Sequence, residues 1–289
     1  MSTDGLLVVD KPGGMTSHDV VGRVRRILGQ RRVGHAGTLD PMATGVLVVG
    51  IGRVTRLLGH LALGDKDYDA VIRLGTTTTT DDAEGEVLAA AEPVTDPAAI
   101  AVAARGLTGT LSQVPPAYSA IKVDGQRSYA RARAGERVEL AARTVTVVRF
   151  DVTGIDGADV SASVTCSSGT YIRSLARDLG AVLGCGAHLA ALRRTRVGPF
   201  GLDRAVTLPA LGAEAPERLL ITLADAVGAA FPRRDLDEDE TARIGFGRPL
   251  KPSGADGVHG AFAPDGRALA LLADRDGRAV PVVVFEARG

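Results

Sequence analysis

The residues best suited to chemistry gather in one stretch, His35-Ala36-Gly37-Thr38-Leu39-Asp40-Pro41-Met42-Ala43-Thr44-Gly45. It holds a carboxylate between glycine-flexible segments and runs at once into the apolar Val46-Leu47-Val48-Val49. Pro41 pushes Asp40 out of the α region into an extended or bridging conformation. Gly37 and Gly45 let the backbone bend closely on either side. The stretch thus presents an acid at a strand-to-turn junction, and two uses suit it. Pro41 fits the first position of a short helical turn, which Asp40 would cap. Alternatively the acid is presented there for chemistry.

The surrounding elements follow from periodicity and breakers. Gly5–Val9 reads as a buried strand ended by the turn Asp10-Lys11-Pro12-Gly13-Gly14. Val20, Val21, Val24, Ile27 and Leu28 form one apolar helical stripe, capped by Thr16 or Ser17 and stopped by Gly29. A strand from Val46 to Ile51, a helix over Val54–Leu63 and a strand over Lys66–Leu74 come next. Thr76–Thr80 reads as a loop, 97–106 as a helix, and Tyr118–Val123 as a strand entering a hairpin at Asp124-Gly125. Residues 126–142, rich in Arg and Ala, form a projecting helix in this reading. Strands over Thr144–Val152 and Asp159–Cys166 lead to a helix that Thr170 would cap, then to a strand from His188 to Val197. Helical pieces near Leu208 and Leu223 precede short strands and turns from Asp235 onward. The expected architecture is α+β: a catalytic domain over 1–230 with a mixed, largely antiparallel sheet, flanking helices and an insertion at about 124–142, then a small β-rich module over 235–289.

Composition narrows the class. The 289 residues are 45% hydrophobic, enough for a packed core. No apolar run approaches the ~20 residues of a membrane span. Met1-Ser2-Thr3-Asp4 does not begin a secretory signal. Cys166 and Cys185 are too few for a disulfide framework or a zinc site. The expectation is a cytoplasmic protein. Net charge is zero, yet residues 1–60 carry eight Lys/Arg against four acids, and 121–149 are also basic. The cluster Asp235, Asp237, Glu238, Asp239, Glu240 restores neutrality. Basic regions on a neutral chain suit a local polyanion surface, and equally suit ordinary solvated helix faces.

The Asp40 stretch resembles the catalytic motif of the bacterial tRNA pseudouridine-55 synthases, the TruB family. Further motifs follow in the family's order. Asp10-Lys11-Pro12 with Gly14-Met15-Thr16-Ser17 resembles its N-terminal motif, and Lys66-Asp67-Tyr68 with Arg73-Leu74-Gly75 its tyrosine motif. Pro115, Tyr118-Ser119-Ala120-Ile121-Lys122 and Gly125 resemble the entry to its thumb. Cys166-Ser167-Ser168-Gly169-Thr170-Tyr171-Ile172-Arg173, and Leu183-Gly184-Cys185-Gly186-Ala187-His188-Leu189 with Leu192-Arg193-Arg194, resemble its two later motifs. Relatives often end in a PUA domain, a small β barrel that contacts RNA; residues 235–289 are PUA-like only in part, being short and acidic at their start.

The resemblance implies a pseudouridine-synthase fold and isomerisation of uridine 55 in the T-loop of tRNA. The N1–C1′ bond breaks, the uracil turns, and C5 joins C1′. The target base must first leave its stack. Asp40 would be the catalytic carboxylate, with three roles open to it: attack at C6, attack at C1′, or removal of a sugar proton. Tyr68 would stack on the flipped uracil and is a candidate to move the C5 proton. Arg173 would pair with Asp40 and keep it ionised. His35 would help extrude the base, Tyr171 would support the pocket wall, and Leu192 would line it. Lys11, Lys122, Arg127 and Arg131 would meet phosphates. The implied partner is tRNA, through its T-arm, taken by a monomer without metal, cofactor or membrane. No Gly-x-Gly-x-x-Gly or Walker motif is present. A competing reading is an RNA-binding or tRNA-folding protein without required chemistry; a carboxylate facing an RNA backbone argues against it.

Overall fold

The computed structural model describes residues 4–119, 122–123, 126–127, 140–213 and 218–286. In chain order its elements are β1 (Gly5–Lys11), α1 (Ser17–Leu28), β2 (Val33–Ala36), β3 (Thr44–Ile51), a 3-10 turn (Gly52–Leu57) running into α2 (Leu58–Leu61), β4 (Lys66–Leu74), β5 (Thr76–Thr78), β6 (Val87–Ala90), α3 (Pro97–Gly106), β7 (Gly109–Gln113), β8 (Lys122–Val123) and β9 (Gln126–Arg127). Then follow β10 (Arg143–Asp156), β11 (Asp159–Cys166), α4 (Ile172–Leu183), β12 (Ala187–Val197), β13 (Phe200–Gly201), α5 (Leu208–Ala213), α6 (Leu223–Ala230), β14 (Arg233–Asp235), α7 (Glu238–Gly245), β15 (Val258–Phe262), β16 (Ala268–Arg275) and β17 (Arg278–Val284). No helix among the described residues is long and apolar enough to cross a membrane. The chain divides into two compact units.

The first unit comprises Met1–Pro41, Gly45–Ala62 and Val197–Gly289. β1 pairs antiparallel with β3, Gly5 opposite Ile51 and Lys11 opposite Gly45, and β2 also pairs with β3. The runs Leu6–Val9 and Val46–Val49 are continuously apolar because both of their faces are covered. Leu6, Val8, Val46 and Val48 share a core with Ala226 and Val227 of α6 and with Phe262, Leu271 and Phe285. Leu7, Val9, Leu47 and Val49 pack instead on Val20, Val21 and Val24 of α1 and on Leu208 and Leu211. α1 starts in a capping box, Thr16 and Asp19 bonding each other's backbone, and ends at Gly29 with φ 59°. The order β14-β15-β16-β17 makes a second sheet. Most of the acidic cluster, which follows β14 in sequence, is a helix start. Asp237 caps α7, and Glu238, Asp239 and Glu240 occupy its first turn, where negative charge meets the positive end of the helix dipole.

The second unit comprises Met42–Thr44 and Leu63–Arg196. Its sheet runs β12-β4-β11-β10-β7. β4 alternates strictly, burying Lys66, Tyr68, Ala70, Ile72 and Leu74 on one face. Tyr68 stands opposite Val164 and Lys66 opposite Cys166 on β11. α3 and α4 contribute Ile100, Ala103, Ala104, Leu175, Ala176 and Leu179 to the buried set.

Several local expectations need correction. No helical turn follows Pro41; residues 41–42 form a bend, so Asp40 caps no helix. Thr76–Thr78 is a strand, paired with β6, because a threonine run suits a half-buried pleated surface. Tyr118 and Ser119 lie in a bend, and among the described residues of this segment Lys122–Val123 are strand. That strand pairs with Gln126–Arg127, so the expected helix cannot begin at 126, and residues 128–139 lie outside the described ones. The N-cap of α4 is Tyr171, not Thr170.

Two packing details carry predictions. Gly180 lies in α4 against the start of β12. A Cβ there would stand 2.2 Å from the Ala187 nitrogen and 2.3 Å from the Gly186 carbonyl carbon, both backbone atoms. Alanine is the better helix former by about 1 kcal/mol, yet Gly180→Ala should destabilise by about 2–3 kcal/mol through overpacking. The denaturant midpoint checks this, and an unchanged or raised midpoint contradicts it. Lys66 is 6% exposed. Burial, then the neighbouring Arg194, pull its ammonium from 10.5 down to about 8. Below pH 8 folded and unfolded chains both hold this proton, so the desolvation cost is present in full. Between 8 and 10.5 only the unfolded chain holds it, and wild-type stability rises with pH. Lys66→Met should therefore stabilise by about 2 kcal/mol at pH 7, an advantage that shrinks as pH climbs from 8 towards 10.5. Melting curves across that range read the effect; a difference independent of pH would refute it.

Candidate active site

Asp40 sits on a loop held at both neighbours. On one side the Leu39 backbone N–H donates to Ser17 Oγ at 2.9 Å, and that hydroxyl lies 3.2 Å from the Leu39 carbonyl. On the other side the Pro41 carbonyl accepts from Gly14 N–H at 2.8 Å and from Lys11 Nζ at 3.2 Å. The Lys11 ammonium also donates to the carbonyls of Met15 at 2.6 Å and Pro12 at 2.9 Å. Gly37 and Gly45, with φ of 80° and 97°, make the bends that let β2 leave and β3 begin. The result is a half-buried aspartate in the loop between β2 and β3, with the backbone on either side fixed to α1 and to the turn after β1. Lys11 itself corrects an expectation. It is fully buried, so its charge organises backbone carbonyls and does not stand at the surface for a phosphate. His35, half-buried on β2 opposite Val49, packs edge-on against the exposed His18 ring with centroids 5.6 Å apart.

The second unit holds Tyr68, Arg173, Tyr171 and Leu192. Tyr68 is 6% exposed on β4, and Leu192 is 9% exposed on the adjacent strand β12. Arg173 opens α4 and is buried. Its guanidinium donates to the carbonyls of Thr80 at 3.0 Å and Tyr118 at 2.9 Å, and lies 3.4 Å from the buried Asp82 carboxylate. Asp82 is held in turn by the Thr80 hydroxyl and by the Glu84 N–H at 3.0 Å. Tyr171 contributes its backbone: its N–H donates to Gln113 Oε1 at 2.8 Å, and its carbonyl accepts from Gln113 Nε2 at 3.1 Å. Lys122 and Arg127 are paired in backbone register on β8 and β9, while Arg131 lies outside the described residues.

The first unit offers a positioned carboxylate, and the second a buried phenol and a buried, multiply anchored guanidinium. The sequence reading missed Asp82, Ser17 and Gln113. Asp82 had a usable signal: two arginines one helical turn apart, Arg173 and Arg177, ask for two acids, and Asp81-Asp82 is such a pair. Ser17 and Gln113 act on backbone groups and leave no periodic trace.

Comparisons with known proteins show the family. The sequence model described as the TruB family pseudouridylate synthase N-terminal domain matches residues 25–172. Those described as the tRNA pseudouridylate synthase B C-terminal domain and as tRNA pseudouridine synthase II, C terminal, match 173–223 and 231–286. The chain is 62% identical over 292 residues to tRNA pseudouridine synthase B of Thermobifida fusca, covering 98% of each. It is 58% identical to the protein of that name from Nocardia farcinica, covering 99% of this chain and 94% of that one. Among solved structures it resembles a chain of an H/ACA RNP bound to a substrate RNA containing 2′-deoxyuridine. There the TM-score is 0.75 at 26% identity, over 98% of this chain and 86% of that one. A chain of an archaeal box H/ACA sRNP Nop10–Cbf5 complex gives a TM-score of 0.74 at 27% identity, over 99% and 87%. With matching sequence models along most of its length and full-length relatives at this identity, the chain belongs to the TruB family of pseudouridine synthases.

Proposed function

We propose that this protein isomerises a uridine of tRNA to pseudouridine, at position 55 of the T-loop. The observation that supports it most directly is the Asp40 loop, a carboxylate whose two neighbours are pinned by Ser17, Gly14 and Lys11, in a chain whose full-length relatives carry the name tRNA pseudouridine synthase B. Substrate and product have the same composition, so the reaction consumes no oxidant, reductant or phosphate donor. What it needs is a base out of its stack, a group that stabilises C1′ as the N1 bond breaks, and transfer of the C5 proton after the new bond forms. In this reading Asp40 is the carboxylate, Tyr68 stacks on the uracil, and Arg173 supplies the cation that keeps the carboxylate ionised. His35 assists extrusion, Leu192 and Tyr171 bound the pocket, and Lys122, Arg127 and Arg131 meet phosphates of the T-arm. The protein acts as a cytoplasmic monomer, and its 235–289 module adds contacts to RNA.

The test is release of C5 tritium, or mass labelling, on unmodified tRNA transcripts with uridine 55 present or replaced. Wild type should turn over only the transcript that carries uridine 55. Asp40→Asn should fold and bind tRNA yet form no pseudouridine, since the change is near-isosteric and removes only the charge. Substantial turnover by this variant would sink the carboxylate assignment. Tyr68→Phe should keep tRNA affinity and lose most activity, whereas Tyr68→Leu should also loosen the flipped base, because stacking on an aromatic is worth ~1–3 kcal/mol. Full activity in both would return Tyr68 to the core.

A further inference from the structure

Arg173 and Arg177 stand one turn apart on α4, and the turn between β5 and β6 presents two consecutive acids to them. Asp82 faces Arg173, both side chains being almost wholly buried. Asp81 faces Arg177, its Oδ2 lying 3.1 Å from Nη1, with both side chains partly exposed. Successive side chains of an extended backbone point to opposite sides. Two neighbouring carboxylates reach one helix here because Asp81 adopts the left-handed conformation, with φ 59°. For a residue other than glycine that conformation costs on the order of 1 kcal/mol and persists only where the surroundings hold it. The holding contacts are on both sides. The Asp81 carbonyl accepts from Leu189 N–H at 3.0 Å, and Ala83 N–H donates to the Leu189 carbonyl at 3.0 Å, bracketing Asp82. Arg177 adds an anchor beyond the turn: its Nη2 donates to the Val114 carbonyl at 2.9 Å, where Ser174 Oγ also donates at 2.9 Å. Its Nε and Nη2 share Asp178 Oδ1 at 3.0 and 2.9 Å.

We propose that Asp81 and Arg177 form a positioning pair for the reaction: by holding the turn in its left-handed form they set where the Asp82 carboxylate stands, and through it the Arg173 guanidinium. The pair touches no substrate. It fixes the direction from which Asp82 meets Arg173. Burial lifts the Asp81 carboxyl above its usual range while Arg177 and Arg173 draw it back, so without Arg177 the turn loses the partner that makes a charged Asp81 tolerable there. Spacing reinforces the effect, because α4 holds the two guanidiniums at a fixed separation and a shift of one acid displaces the other.

The inference rests on the proposed role of Arg173, and the experiment separates the two. Single-turnover rate constants and tRNA dissociation constants are measured for wild type, Asp81→Asn, Arg177→Gln, Arg173→Lys and the double variant Asp81→Asn/Arg173→Lys, with Asp40→Asn as the reference for loss of chemistry. Asn accepts the left-handed conformation, so Asp81→Asn removes charge without forbidding the turn. Asp81→Asn and Arg177→Gln should each slow the chemical step about five- to twentyfold and change tRNA affinity less than about twofold. The double variant should be no slower than Arg173→Lys alone, because the pair acts through Arg173. Rates that multiply in the double variant, a change confined to affinity, or unaltered rates would each overturn the pair's role. An unaltered single-turnover rate in Arg173→Lys would instead overturn the role of Arg173 on which the inference rests. Should Asp81→Asn fail to fold, as read by its far-ultraviolet circular dichroism, Arg177→Gln alone and combined with Arg173→Lys carries the same comparison.

Discussion

A buried ammonium must be surrounded by acceptors, and Lys11 meets that demand with three backbone carbonyls drawn from two segments. Pro12 and Met15 belong to the turn after β1, and Pro41 to the loop that carries Asp40. A fully buried charge without such partners would cost several kcal/mol. The requirement that Lys11 be satisfied therefore fixes the Asp40 loop to the end of β1. Gly14 and Ser17 add neutral hydrogen bonds to the same loop, and Ser17 is the first residue of α1. The helix start, the strand end and the carboxylate loop are thus one electrostatic assembly, seated on the two cores that sandwich β1 and β3.

The second unit solves a similar problem with arginines. Arg173 and Arg177 bring α4 to the β5–β6 turn and to the segment Val114–Tyr118 by donating to the carbonyls of Thr80, Val114 and Tyr118. A guanidinium offers five donors in a rigid fork, so one side chain can join two backbone segments and a carboxylate at once. A lysine at 173 would keep the charge but not the geometry. The segment that Arg173, Arg177 and Gln113 fasten runs on towards the β8–β9 hairpin, whose Lys122 and Arg127 are the proposed phosphate contacts.

What the sequence makes legible follows from how local each cause is. Lys66–Leu74 alternates with period two, and the strand ends fall where the alternation stops. Asp96-Pro97 opens α3 through a cap and a proline at the first turn, both readable in two residues. The Asp40 stretch is legible as chemistry because a carboxylate before proline has few uses. Its expected helical turn fails because Pro41 gives its carbonyl to Lys11 and Gly14, contacts with residues about thirty positions away. The threonine run shows the same limit: Thr76–Thr78 suits a strand but needs Val87–Ala90 to pair with it, and that pairing has no local signature. Lys11 reads as a surface cation from its type alone, since nothing in its neighbours announces burial.

Charge counting has its own blind spot, and it bears on how a chain of zero net charge can meet a polyanion. Many acids are committed to internal partners. Asp4 and Glu286 pair with Arg53, Asp159 with Arg73, Asp67 with Arg196, and Asp81 and Asp82 with the α4 arginines. Asp19 belongs to the capping box of α1, and Asp237 caps α7. The partners of the ion-paired acids are arginines whose charge is spent in the same contacts. On α1 the balance differs. Arg25 donates to the Val33 carbonyl, while Arg23 and Arg26 stay exposed on a helix whose acid is turned to its own N-terminus. A local field depends on which charges remain unneutralised within about 10 Å, the screening distance at moderate salt. Pairing that removes acids and bases in equal number leaves the formal charge at zero while concentrating uncompensated cations on particular faces.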